Sequence, residues 1–170
     1  ACSPELKQGA QSLGAPDNTL LLPYGADPNI FSPSRIKQDF RSAMGIPSDA
    51  LIISAIGRFV YKKGFDVLLE AFSEVVKDQP QTHLVLGGDG PLMSTFVQKC
   101  QQLNISGKVS LSGRIPWDQV PEFLASSDIF VVPSVRDPQG NVDGLPNVVL
   151  EAMSCATPVI ASNIGGISLV

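Results

Sequence analysis

Cysteine is scarce in this chain: Cys2, Cys100 and Cys155 lie far apart, and no Cys-x-x-Cys pair occurs. An odd, scattered set gives neither a disulfide framework nor a zinc site, and a reduced cytosolic setting is the simplest reading. Histidine is scarcer still. His83 stands alone and leads into an apolar run, which makes it a strand-edge residue rather than a base or metal ligand. Charged residues are only 16% of the chain and leave a net charge of −4. That balance argues against a general nucleic-acid or anionic-membrane surface, though it leaves room for a local cationic pocket. No apolar run reaches the roughly 20 residues of a membrane span. The opening Ala1-Cys2-Ser3-Pro4 has no initiator Met and no basic, then apolar, leader. Both ends read as cut from a longer protein.

Several signatures are also missing. There is no P-loop, no Gly-x-Ser-x-Gly elbow and no Asp-x-Asp pair to hold a diphosphate through a metal. Gly88-Asp89-Gly90 lacks the third glycine of a dinucleotide fingerprint. What is present is a 44% hydrophobic chain of 170 residues, enough for one domain with a full core. From Leu51 onward, short β-branched runs alternate with amphipathic segments. Strands are expected at 51–56, 83–86, 109–111, 129–132 and 158–161. Phe65, Leu68, Leu69, Phe72, Val75 and Val76 recur with the spacing of one helical face. Further helices are expected at 91–103, 117–125 and 146–155, with Pro91 and Pro146 in their first turns, where a missing N–H costs nothing. Trp117, after Pro116, reads as a packing residue.

Strand–helix repetition requires a parallel sheet, because a crossover helix must return the chain in the same direction. The fold class is therefore α/β, a doubly wound Rossmann-like sheet, with its ligand outside the C-terminal strand ends. The first 50 residues differ in texture: a short helix over 5–12, a strand at Leu20-Leu21-Leu22, and a short segment over 35–44. They read as a hinge entering the domain.

Four loops at strand ends carry the residues of interest. Gly57-Arg58-Phe59-Val60-Tyr61-Lys62-Lys63-Gly64 brings Arg58 and Lys63 to a helix N-terminus, where backbone N–H groups and cations together suit a phosphate. A solvated basic loop is the competing reading. The glycines of Gly87-Gly88-Asp89-Gly90-Pro91 allow close backbone approach to a ligand, or simply a turn. Gly113, before Arg114, would let a flat base lie against the backbone. The fourth loop runs from Pro133 to Asn147 and sets Asp143 just outside a helix and Glu151 inside it, four residues after Asn147 and on the same face. If that face lines a cleft, Glu151 accepts hydrogen bonds from a ribose diol and Asp143 meets the adjoining sugar. Otherwise Asp143 is an acid favoured by the helix dipole and Glu151 is a solvated helix residue.

Together these loops resemble the C-terminal domain of family 4 (group 1) retaining glycosyltransferases of the GT-B fold. The resemblance runs in order through Pro23-Tyr24-Gly25-Ala26-Asp27, then Gly57-Arg58 with Lys63-Gly64, then Gly88-Asp89-Gly90-Pro91 and Gly113. Ser127-Asp128 and Pro133-Ser134 follow. The most specific element is acid, seven residues, Glu, Ala-Met and Pro-Val: Asp143, Glu151, Ala152-Met153 and Pro158-Val159, with Gly165-Gly166 beyond.

The resemblance implies a nucleoside-diphosphate-sugar donor such as a UDP-sugar, hexosyl transfer with retention, and no metal or other cofactor. Arg58 and Lys63 would grip the diphosphate, Glu151 the ribose and Asp143 the donor sugar. The Arg114 backbone would read the base, with Gly88, Gly144, Leu145 and Asn147 approaching the donor. The family's usual Glu is Asp143 here, one methylene shorter. Residues 1–22 would be the tail of an acceptor-binding N-terminal domain and its hinge, and 23–170 the donor domain, truncated at both ends. Such a fragment would be inactive alone. The full-length enzyme would work in the cytoplasm or at the cytosolic membrane face. A GT-B epimerase or phosphorylase, or a non-catalytic nucleotide-binding module, stands as the alternative.

Overall fold

The structure, a computed structural model, describes residues 1–35 and 40–170. Helix α1 (Pro4–Ser12) comes first, then α2 (Phe40–Ala43) and the repeating body: β1 (Leu51–Ile56), α3 (Phe65–Asp78), β2 (Thr82–Gly87), α4 (Met93–Gln102), β3 (Val109–Gly113), α5 (Val120–Ala125), β4 (Ile129–Val132), α6 (Asn147–Ser154) and β5 (Val159–Ala161). All five strands pair in parallel in the order β3-β2-β1-β4-β5. The order reverses between β1 and β4, so the loops leaving those two strands diverge and open a crevice between them. The expected doubly wound sheet is therefore present.

Alternation along each strand feeds two cores, one on each face of the sheet. Ile52, Val85, Phe130 and Val132 point to one, with Phe123, Leu124 and Val149 over them. Ala55, Leu84 and Leu86 point to the other, closed by Phe65, Leu69, Phe72 and Phe96. Parallel strands covered on both sides must be apolar on both, which is why these runs read as continuous.

Some expectations are corrected. Leu20-Leu21-Leu22 forms no strand, and Leu20 and Leu22 are exposed. A lone extended segment has no ladder to satisfy its backbone. His83 lies within β2, an interior strand, buried and hydrogen-bonded to Ser110 Oγ at 2.9 Å. Burial first, and Lys108 second, hold its pKa below the usual value. Pro146 caps α6 from just outside, and Pro91 precedes α4. Val75 turns to solvent from the otherwise buried face of α3. Trp117 opens a 3-10 turn (Trp117–Gln119) and touches Phe31 edge-on, yet is mostly exposed. Of the segment expected over 35–44, residues 36–39 lie outside the described residues.

Candidate functional site

Beyond β1 the chain turns over the top of the sheet. Phe59 is fully buried and packs edge-on against Phe65 and Phe96, with ring centroids 5.6 and 5.2 Å apart. Burial of that ring pins the loop and leaves its neighbour Arg58 exposed. The Phe59 N–H donates to the Asp89 carbonyl at 2.8 Å, and the Phe59 carbonyl accepts from the Leu92 N–H at 3.2 Å. The loops after β1 and β2 are thereby joined. Gly88 marks their closest approach: its φ is 138°, and any Cβ there would overlap the Gly57 carbonyl oxygen. With the start of the loop after β3 they enclose a cleft of about 520 Å³ lined by Gly57, Arg58, Gly88, Arg114 and Ile115. That volume is ample for a small ligand. Among the described residues neither Arg58 nor Arg114 has a carboxylate partner.

The crevice between β1 and β4 adjoins this cleft. Tyr61–Lys63 forms one 3-10 turn, closed by Gly64 at φ 65°, and α3 begins at once. A side chain at Gly64 would overlap the Pro133 carbonyl oxygen, so glycine lets the two loops touch. Across that contact, Lys63 Nζ lies 2.6 Å from Asp143 Oδ2 and Lys62 Nζ 3.1 Å from Asp143 Oδ1. Ser134 Oγ donates to Oδ2 at 3.3 Å. The Lys63 stem runs over Gly57, its Cε 3.4 Å from where a Cβ would sit. The same lysine therefore packs against a cleft-lining residue and holds the acid.

Burial pushes the Asp143 carboxyl up, but hydrogen bonds and charge from Lys63 and Lys62 outweigh it and hold the pKa below the ordinary carboxylate range. Glu151 is the contrast. It sits half-buried within α6, and among the described residues no cation or hydrogen-bond donor meets its carboxylate. Burial alone raises its pKa.

Of the sequence-predicted residues, Arg58, Gly88 and Arg114 share the cleft, and Lys63 and Asp143 share an ion pair. Glu151 does not line that cleft. Asn147 is exposed at the first position of α6. Leu145 is buried. Gly144 is covered by α1: a Cβ there would lie 2.7 Å from Leu6 and 3.2 Å from Cys2 Sγ. Its carbonyl accepts from the Gly166 N–H. Glu5 of α1 also pairs with Arg136 at 2.9 Å, so the first helix is fastened to the loop that carries Asp143.

A sequence profile described as glycosyl transferases group 1 matches residues 36–170. The chain belongs to this family. It is 34% identical, over 99% of its length, to the putative teichuronic acid biosynthesis glycosyltransferase TuaC of Bacillus subtilis. It is 32% identical, over 85%, to a GDP-mannose-dependent phosphatidylinositol monomannoside mannosyltransferase of Mycolicibacterium smegmatis. These matches cover 39% and 38% of the two relatives, so the glycosyltransferase chain spans about two-fifths of their length. In fold it matches Anabaena HepE, solved with UDP and glucose: TM-score 0.83, 25% identity, 100% of this chain and 45% of that one. Sucrose-phosphate synthase from Thermosynechococcus elongatus gives a TM-score of 0.78 at 28% identity, over 99% of this chain and 41% of the enzyme. The sheet is half of a GT-B fold.

Two residues around Asp143 escape a reading of motifs. Ser134 was visible only as part of Pro-Ser, and Lys62 only as the neighbour of Lys63. Their common target, Asp143, lies in the same loop as Ser134 but is remote in sequence from Lys62, and only the contact between the β1 and β4 loops brings it within reach of that lysine.

Proposed function

We propose that the crevice between β1 and β4, with the cleft beside it, binds a nucleoside-diphosphate hexose, and that the enzyme transfers the sugar to an acceptor with retention of configuration. One observation carries the reading: Lys63 lies along Gly57 at the cleft while paired to Asp143. A diphosphate in the cleft would lie between Arg58 and Lys63, and its sugar would project toward Asp143. HepE, with UDP-glucose bound, supports a donor of this class. Retention and hexosyl transfer follow from the resemblance to family 4.

When the bond from the anomeric carbon to the diphosphate breaks, its electron pair goes to the leaving phosphate. The acceptor hydroxyl oxygen bonds to the anomeric carbon, and its proton passes to an oxygen of the leaving phosphate. Arg58, Lys63 and the N-terminus of α6 would meet the new charge, the role a metal fills elsewhere. Glu151, half-buried and unpaired, suits a ribose diol. Residues 23–170 are assigned to the donor domain and 1–22 to the acceptor-binding domain and hinge. Three free cysteines fit a cytosolic setting.

Titration calorimetry with UDP and UDP-glucose tests the assignment. Arg58→Ala or Lys63→Ala should each weaken binding by about 2–5 kcal/mol, the range for truncating one partner of a desolvated charge pair. Binding unchanged in both variants would end it.

A further inference from the structure

Asp143 has more positive charge around it than one carboxylate needs. Lys63 takes Oδ2 and Lys62 takes Oδ1, two ammonium groups against one negative charge. The lysines differ in their surroundings. The Lys63 stem lies against Gly57, one of the residues that line the cleft. The Lys62 carbonyl accepts from the Val135 N–H at 2.9 Å, which clips its backbone to the start of the β4 loop, while its ammonium holds the end of that loop at Asp143. Lys62 also helps to depress the Asp137 carboxyl, after the larger effect of Asn141, so its charge is felt between the two ends as well.

From this arrangement we infer that Lys62 is the residue that retains Asp143 when the donor binds. The inference rests on the donor-binding reading above. An arriving diphosphate competes with Asp143 for Lys63, whose stem packs against Gly57 in the cleft lining. Lys63 can swing to the phosphates only if the carboxylate it leaves does not become a half-buried, unpaired charge, which is costly. Lys62 on the other oxygen removes that penalty and keeps Asp143 ionised and aimed at the sugar. Lys62 is thus a positioning residue. It acts through Asp143 and touches neither phosphate nor sugar.

The test is a double-mutant cycle on UDP affinity, read by calorimetry, with thermal melting to confirm folding. Lys62→Met should weaken UDP binding by about tenfold, equivalent to about 1.4 kcal/mol. Lys62→Arg, which keeps the charge, should restore most of it. In the Asp143→Asn background Lys63 is already released, so adding Lys62→Met should change affinity by less than about twofold, the mark of coupling through the acid. An undiminished Lys62→Met effect in that background would mean direct phosphate contact and would overturn the inference. So would wild-type affinity in Lys62→Met while Lys63→Met still impairs binding. Absence of saturable UDP binding by the parent protein would remove both this inference and the donor-site reading.

Discussion

Asp143 and Glu151 are acids of one loop–helix segment whose surroundings push ionisation in opposite directions. Burial raises both, but only Asp143 has lysines to reverse it. Its depressed pKa means that the ion pairs stabilise the fold above its ordinary value of 3.8, and that this stability is lost as pH falls through the lower folded value. For Glu151 the sign is opposite: its folded pKa lies above the ordinary 4.5, so ionisation at neutral pH costs stability. Glu151→Gln should therefore melt higher than the parent at pH 7. The gap should close as pH falls through the raised pKa, while UDP affinity drops at neutral pH. Under the donor-binding proposal, that cost is the one a ribose contact would justify. The residue types were legible from the sequence, since Arg58, Lys63 and Asp143 stand in loops that follow strands and Glu151 lies within the helix after the last of them. Their distances were not. Lys63 and Asp143 are 80 positions apart, and no periodicity links them.

Elements were legible where one face is buried. The spacing from Phe65 to Phe72 predicts α3 because those side chains close a core, and the five strands follow from apolar runs covered on both sides. Prediction failed where a partner decides the outcome. Leu20-Leu21-Leu22 has strand-like composition but no neighbouring strand, and composition alone cannot supply one. Loop contact was equally hidden, and Gly64 exposes it. Gly64→Ala must place a side chain in the left-handed region and against Pro133, costing at least about 2 kcal/mol. Urea denaturation should show that loss. UDP binding should weaken as well, because the lysine turn and the Asp143 loop would be forced apart.

On the scale of the molecule, an acidic protein gathers Arg58, Lys62, Lys63 and Arg114 around one region above the sheet. Donor binding should then weaken as salt is raised, although the net charge of −4 alone suggests no attraction for an anion. Among the described residues no helix is long and apolar enough to cross a membrane. Because these residues correspond to about two-fifths of TuaC, the 170-residue chain alone should bind donor without turning it over. Product formed with any acceptor, detected by mass spectrometry, would refute that expectation.

The first helix has a mechanical consequence for this arrangement. Leu6 and Cys2 press on Gly144, the residue after the acid, and Glu5 grips Arg136 near the other end of the same loop. The loop is thus clamped from outside the sheet at two points. A shift of that helix would therefore disturb both contacts on the loop that carries Asp143.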